Sequence, residues 1–238
     1  MGEIFVFISR TKTPYIESRV RNMMNNGVDT YAVIDELDKP SKRFVTYTDE
    51  FMEEKGWTHH MSRPQHRITA WDKATYFAHQ SKAEYVWFCE DDVFWNKPIV
   101  IKSIIEHAQH SNADLIAYPL AEKYEDQPKW WHWSKSEMIT KSKKNWSATY
   151  NQLCRVSRRL LEDIAKLSQE RKRLYFHETM FPTLCKIKKY PIVYYNELDL
   201  PIHIVVRWDK PFTKEQVEEL IKTHKYVLLH PVKFLTVS

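Results

Sequence analysis

Glycine is almost missing from this chain: only 3 of its 238 residues are glycine. Neither G-x-G-x-x-G nor a Walker A pattern occurs, so any grip on phosphate must come from something other than a glycine-rich loop. Cysteine is equally rare, with Cys89, Cys154 and Cys185 alone. An odd number of cysteines at wide spacing, with no C-x-x-C, argues against both a disulfide framework and a cysteine zinc site. Each lies in apolar surroundings and is expected to be a buried thiol. No apolar run approaches the ~20 residues that span a bilayer. The N-terminal run Glu3-Ile4-Phe5-Val6-Phe7-Ile8 is short and lacks the basic flank of a signal peptide. Together these absences predict a cytoplasmic protein of a reducing compartment, without stable membrane insertion.

What is abundant is aromatic. Phe, Trp and Tyr make up 14% of the chain, including 9 Trp and 13 Tyr. Such an excess serves either stacking on sugars or bases, or a core that uses rings where others use leucine. The net charge of +5 favours anionic ligands such as nucleotides. The basic clusters Lys141-Ser142-Lys143-Lys144 and Arg171-Lys172-Arg173 read as solvated faces, and no nucleic-acid partner is expected. At 43% hydrophobic, the chain suits one domain over residues 1–238.

Within it, Tyr85-Val86-Trp87-Phe88-Cys89 reads as a strand buried on both faces. It runs directly into Glu90-Asp91-Asp92. Three unpaired acids would be costly to bury, so they belong at the mouth of a cleft. In open α/β sheets that is where ligands bind, outside the carboxyl ends of the strands. A hard divalent cation gripping a phosphorylated donor would account for all three.

The flanking chain fits this picture. Ile4–Ile8 predicts a first strand, and Thr13-Pro14 an N-cap followed by a helix carrying Ile16, Val20, Met23 and Met24 inward as far as Asn26-Gly27. Thr30–Ile34 predicts a second strand ending at Asp35. This β-α-β unit leaves Ser9, Arg10 and Asp35 at strand ends, where a nucleoside could be met; for Asp35 a surface or capping role fits equally. A short strand (44–47) and helix (49–55) follow. The loop with His59, His60 and His66 reads as solvated. A helix over 66–80 buries Ile68, Trp71, Ala74, Thr75 and Ala78, with Asp72, Arg67 and Lys73 within reach of ribose or phosphate. Helix 99–110 and strand 114–118, stopping at Pro119, complete an α/β half with a mainly parallel sheet.

Residues 120–144 read as a polar loop carrying Trp130-Trp131-His132-Trp133, either a stacking platform for carbohydrate or a plug in the core. A strand over 147–156 leads to a helix capped by Ser157. His177-Glu178 lies where a short element enters a helix; a carboxylate there is either a cap favoured by the helix dipole or a general base. Strands over 191–195, 202–206 and 227–229 and a helix over 213–223 follow. The last strand ends in His230-Pro231-Val232-Lys233, offering an imidazole to a metal and an ammonium to phosphate.

Taken together, these residues resemble the GT-A fold glycosyltransferases of the nucleotide-diphosphosugar transferase superfamily. The chain is similar in size to small stand-alone members from bacteria and large DNA viruses. The resemblance is carried by the β-α-β unit Ile4–Asp35, the helix with Ala70-Trp71-Asp72-Lys73, the sequence Glu90-Asp91-Asp92 in place of a D-x-D element, and the late pair His177-Glu178 and His230–Lys233. It implies a GT-A-like three-layer α/β/α sandwich. Residues 1–118 would bind a nucleotide sugar, and 119–238 the acceptor.

By resemblance, Ser9, Arg10, Asp35 and Asp72 would line the nucleotide site, with Glu90 and Asp91 near ribose and Lys233 on the diphosphate. Asp92, Glu90 and His230 would hold Mn²⁺ or Mg²⁺. Glu178 would be the catalytic base, and Trp130, Trp131, Trp133 and His177 would face the acceptor. The implied activity moves a sugar from a nucleotide sugar, a UDP-sugar in the first instance, to a hydroxyl of a glycan or glycoprotein, with inversion. Glu in the first position of the motif leaves open which of the three acids coordinates. A nucleotidyltransferase of the same superfamily and a non-catalytic carbohydrate-binding module are the alternatives. The former usually carries a glycine-rich first loop, and 9–14 has none; the latter leaves the acids and His230 without a role.

Overall fold

Alternation along the first strand sets the layers. In β1 (Glu3–Thr11), Ile4, Val6 and Ile8 point to one face and Phe5 and Phe7 to the other, and all five are buried. The computed structural model describes residues 2–60, 68–130 and 132–235. His66, Arg67 and Trp131 lie outside the described residues.

After β1 come α1 (Pro14–Asn25), β2 (Thr30–Glu36), β3 (Phe44–Val45), α2 (Asp49–Lys55), α3 (Ala70–Ser81), β4 (Tyr85–Glu90), β5 (Phe94–Trp95), α4 (Pro98–Gln109) and β6 (Leu115–Ala121). The second half adds α5 (Trp133–Ile139), β7 (Ala148–Ser157), α6 (Arg158–Arg171), α7 (His177–Lys188), β8 (Ile192–Tyr194), β9 (His203–Val206), α8 (Lys214–Thr223) and β10 (Val227–His230). Seven strands form the main sheet in the order β3-β2-β1-β4-β7-β6-β8, in which only β7 runs against the rest. Helices α3, α6 and α7 cover the Ile4/Val6/Ile8 face through Trp71, Leu161 and Met180. Helices α1 and α4 cover the other face through Ile16, Val20, Val100 and Ile104. The result is a three-layer α/β/α sandwich around a mainly parallel sheet. Because β7 inserts between β4 and β6, the two halves of the chain share one sheet. Among the described residues, no helix is long and apolar enough to cross a membrane.

Several boundaries differ from the sequence reading. Helix α3 begins at Ala70 because Asp72 folds back to accept from the Thr69 N–H (2.8 Å), closing the first turn. Strand β6 passes through Pro119 to Ala121, and its register against β7 shifts on either side of that proline. The 120–144 stretch is not all loop, since it holds α5. Met24 is exposed, one residue off the buried stripe of α1. Strand β5, two residues long, is too short for any periodic signal.

The scarcity of glycine also shows in the backbone. Gly56 occupies the left-handed region (φ 74°), and a Cβ there would come within 3.0 Å of the Lys172 Cα, so this glycine is needed for close approach. The left-handed caps of α3, α6 and α7 are instead lysines, Lys82, Lys172 and Lys189, a conformation that disfavours an L side chain by roughly 1–2 kcal/mol.

Candidate active site

The parallel register of β1 against β4 pairs Ile8 with Glu90, bringing Ser9 beside Asp91. The Asp91 N–H donates to the Ile8 carbonyl (3.1 Å), and the Ser9 Oγ lies 2.5 Å from Asp91 Oδ2. Burial, with the charges of Asp92 and Glu90 behind it, raises the Asp91 carboxyl to about 6, against the opposing hydrogen bond from Ser9. Glu90 is held on one side by the indole N–H of Trp71, which donates to Oε1 at 2.7 Å.

The same turn captures the C-terminal strand. The chain leaves Asp92 through Val93 into β5, and β5 pairs antiparallel with β10, Phe94 opposite Leu229. Strand β10 therefore ends against the acids, delivering His230. The Val232 N–H then donates to the Asp92 carbonyl at 2.8 Å, pinning the tail to the turn. His230 Nε2 lies 3.1 Å from Asp92 Oδ1 and 3.4 Å from Glu90 Oε2. Asp92 Oδ1 is buried with no aligned hydrogen-bond donor, so its approach to the imidazole is a charge contact. Burial lowers the imidazole, but Asp92 and Glu90 outweigh it and hold His230 up at about 9. One ligand atom each from Glu90, Asp92 and His230 fall within 4.8 Å of one another.

Glu178 reaches the same place from a different element. Strand β7 pairs Leu153 with Cys89, so Gln152 lies one step further on, toward Glu90. Gln152 Nε2 donates to Glu178 Oε1 at 2.7 Å, while the neighbouring Asn151 Nδ2 donates to the His177 carbonyl at 2.9 Å. Two adjacent polar residues of one strand thus dock the first turn of α7. Pro182, the fourth residue after Glu178, cannot return the usual helical bond to the Glu178 carbonyl. The Glu178 side chain is buried (7% exposed). Desolvation, then the charge of Glu90, pushes its carboxyl up to about 8, with Gln152 and His230 pulling the other way.

Alongside the acids, a cleft of about 350 Å³ is lined by Ser9, Arg10, Asp35, Trp71 and Glu90–Asp92. At its outer wall Asp35 Oδ1 accepts from Lys73 Nζ at 2.7 Å, and Arg10 Nε donates to Glu36 at 2.7 Å. Lys73 is buried between Asp35 and Asp49, and so is an ion-pair residue of the wall. Lys233 is exposed, and its charge acts to lower Asp91.

No family model matches this chain, and no curated protein matches it. Solved structures similar to it include a galactosyltransferase, LgtC, in complex with donor and acceptor sugar analogs (9% identity, 85% of this chain and 75% of that one, TM-score 0.44). Another is a glycosyltransferase involved in glycosylation of the major capsid of PBCV-1 (10%, 95% and 92%, TM-score 0.42). A third is mouse xyloside xylosyltransferase 1 in its apo form (7%, 87% and 88%, TM-score 0.44). These are distant likenesses of overall layout.

Four residues expected at the site lie elsewhere. Asp72 is wholly buried; its carboxylate accepts from the His60 and Thr69 backbone N–H groups and lies near the Thr69 hydroxyl, all within 2.9 Å. It caps α3 and is turned away from the cleft, and burial raises it to about 7. His177 is buried, its ring stacked on Trp71 at 3.9 Å, so it supports the site from behind and offers no face to an acceptor. Burial, with His60 and His132 nearby, holds it well below its ordinary value and so neutral. Trp133 is 4% exposed, donates from Nε1 to the Gln127 carbonyl, and packs with Trp146, Ala121 and Ala148. Trp130 leans edge-on against Trp133 at 5.1 Å. Trp133 belongs to a satellite core and Trp130 packs against it partly buried, so these two rings serve packing, in a cluster of their own. His60, expected in a solvated loop, is fully buried beside Phe181, and desolvation drives it down to about 3.

Two residues that shape the site were not singled out in the sequence. Gln152 had a signal: Asn151-Gln152 is a pair of amides inside a mostly buried strand, and a buried polar group must have a partner. Trp71 was legible as a core residue, but nothing in its spacing indicated that its N–H would meet Glu90.

Proposed function

We propose that this chain is a metal-dependent glycosyltransferase that moves a sugar from a nucleotide sugar, a UDP-sugar first among candidates, to a hydroxyl of a glycan or glycoprotein. The observation that carries the reading is the convergence of Glu90, Asp92 and His230 at one corner of a cleft, with a buried carboxyl, Glu178, within electrostatic reach of two of them. The donor set fits Mn²⁺ or Mg²⁺: two carboxylates and an imidazole, with Asp92 Oδ1 buried and lacking an aligned donor. Such an ion, held by these three residues, would neutralise charge developing on a departing diphosphate.

The remaining roles belong to the protein's own groups. Ser9 and Asp91, bonded to each other, and Asp35, fixed by Lys73, supply the polar wall for a nucleoside. Lys233 adds positive charge on the Asp91 side, suited to phosphate. Glu178 takes the proton from the acceptor hydroxyl as that oxygen bonds to the anomeric carbon and the bond from that carbon to the phosphate oxygen breaks. A carboxyl raised by burial is a stronger base than an exposed one, which suits this step near neutral pH. A single direct displacement of this kind, with Glu178 as the base, inverts the anomeric carbon. Three free, buried thiols support a reducing, cytoplasmic setting.

The test is a thermal shift with UDP, with and without Mn²⁺. Stabilisation by UDP should require Mn²⁺, and Asp92→Ala should remove it. Metal-independent UDP binding, or none at all, would refute the assignment.

A further inference from the structure

Trp133 is buried in the satellite core and Trp130 partly so, which leaves neither ring fully bare for an acceptor of the proposed transferase. One large apolar side chain stands out: Trp208 is 81% exposed, far beyond any other large hydrophobic among the described residues. Its place in the fold is specific. Strands β9 and β10 run parallel with Val206 paired to His230, and the Arg207 N–H donates to the His230 carbonyl at 2.9 Å. The 207–212 loop therefore leaves the sheet directly beside the imidazole of the cation corner. Val206 and His230 share a small recess with Tyr150 and Gln152, the residue that holds Glu178. Asp209 is near enough to Tyr150 for its charge to act on that phenol, as does that of Glu178.

The loop is anchored at both ends. Phe212 is buried, its N–H donates to the Pro231 carbonyl at 2.9 Å, and the Arg207 guanidinium lies 3.8 Å over the Phe212 ring. A bare indole on a tethered loop carries little ordering cost on binding, unlike one on a free tail. It is not part of the nucleoside wall: no residue of the 207–212 loop lines the cleft with Ser9, Arg10 and Asp35, which lie on β1 and β2.

We propose that Trp208 and Asp209 form a saccharide subsite for the acceptor: the indole face stacks on the apolar face of a pyranose ring, and the Asp209 carboxylate accepts from its hydroxyls. The negative face of an aromatic ring suits the outward C–H groups of a sugar ring, and a carboxylate is a strong acceptor for hydroxyls. The sugar bound is a neutral pyranose, because an acidic one would meet Asp209. The assignment of this ring to an acceptor rests on the glycosyl-transfer reading above.

The experiment uses full-length wild type, Trp208→Ala, Trp208→Phe and Asp209→Asn. Saturation-transfer NMR with lactose, cellobiose and maltose, each in the presence of UDP and Mn²⁺, reads the saccharide. Thermal shift with UDP and Mn²⁺ reads the donor side. Wild type should bind at least one disaccharide; Trp208→Ala should weaken it at least tenfold, Asp209→Asn severalfold, and Trp208→Phe least. The UDP shift should be the same in all four. Since Trp208 is bare, its replacement should leave the fold intact, and equal melting temperatures without ligand verify this. The proposal is overturned if wild type binds none of the three, if Trp208→Ala binds as wild type does, or if Trp208→Ala loses UDP affinity, which would make the ring a base-stacking group. Saccharide binding through Trp208 without any Mn²⁺-dependent UDP shift would uphold the subsite and refute the transferase reading instead.

Discussion

Glu178→Gln is the sharpest perturbation available, because it separates what the carboxyl does for stability from what it does for chemistry. In the folded protein this group is raised from its ordinary 4.5 to about 8, mainly by burial and then by Glu90. A tenfold change in ionisation is worth about 1.4 kcal/mol. The ionised form therefore destabilises the metal-free fold by at most about 5 kcal/mol, and by on the order of 2–3 kcal/mol once the coupling to Glu90 is shared between the two groups. Between pH 4.5 and 8 the folded state holds a proton that the unfolded chain releases, so stability contributed by this site falls as pH rises through that window. Glutamine is the shape of the protonated acid, and its carbonyl can still accept from Gln152 Nε2. The variant should match wild type at pH 4.5 and gain steadily above it. By pH 8.5 it should melt about 4–12 °C higher, at roughly 2–4 °C per kcal/mol for a chain of this size. The assay is thermal or urea unfolding in EDTA from pH 4.5 to 8.5, run in parallel on both proteins. Parallel pH profiles would show that Glu178 is not a buried acid with a raised pKa. Under the proposed function the same variant should bind UDP and Mn²⁺ normally and transfer about 10²–10⁴-fold more slowly.

His230 carries a proton in the metal-free protein up to about pH 9 because Asp92 and Glu90 face it, and a ligating imidazole must be neutral. Mn²⁺ binding at pH 7.5 should therefore release at least about one proton, measured by calorimetry in two buffers of different ionisation enthalpy, and His230→Ala should remove the imidazole's share, leaving only the part that Glu178 gives up as a cation offsets the charge of Glu90. Trp133→Ala removes a ring packed among Trp146, Ala121 and Ala148 and should cost about 3–5 kcal/mol in urea unfolding. An unchanged stability together with a raised acceptor KM would restore Trp133 to the acceptor surface.

How far the sequence reaches is clearest at particular residues. The five rings and aliphatics of β1 alternate without interruption, so both faces of the sheet could be foreseen from their order alone. Thr13-Pro14 and Ser157 marked helix starts because capping is a local interaction within three residues, and both caps are observed, each accepting from the N–H three residues on. Trp130 and Trp133 show the limit. A tryptophan in a polar stretch carries no mark of whether it packs or waits for a ligand, and the answer depended on Trp146 closing over Trp133. Asp72 and Asp92 divide differently: each is an acid next to an apolar run, but Asp72 caps its own helix through Thr69, three residues back, whereas Asp92 meets an imidazole that only the fold brings to it.

By itself the sequence determined the layers, the mainly parallel sheet and the position of Glu90-Asp91-Asp92 at a strand's end, because each follows from local periodicity and the reluctance of charge to be buried. Tertiary structure alone decided what faces those acids. The two-residue strand β5 recruits β10 and with it His230, and the antiparallel β7 sets Gln152, and through it Glu178, beside Glu90. Those meetings join residues up to 140 positions apart through strand register, and register is fixed by how whole sheets pack, a quantity no local window contains.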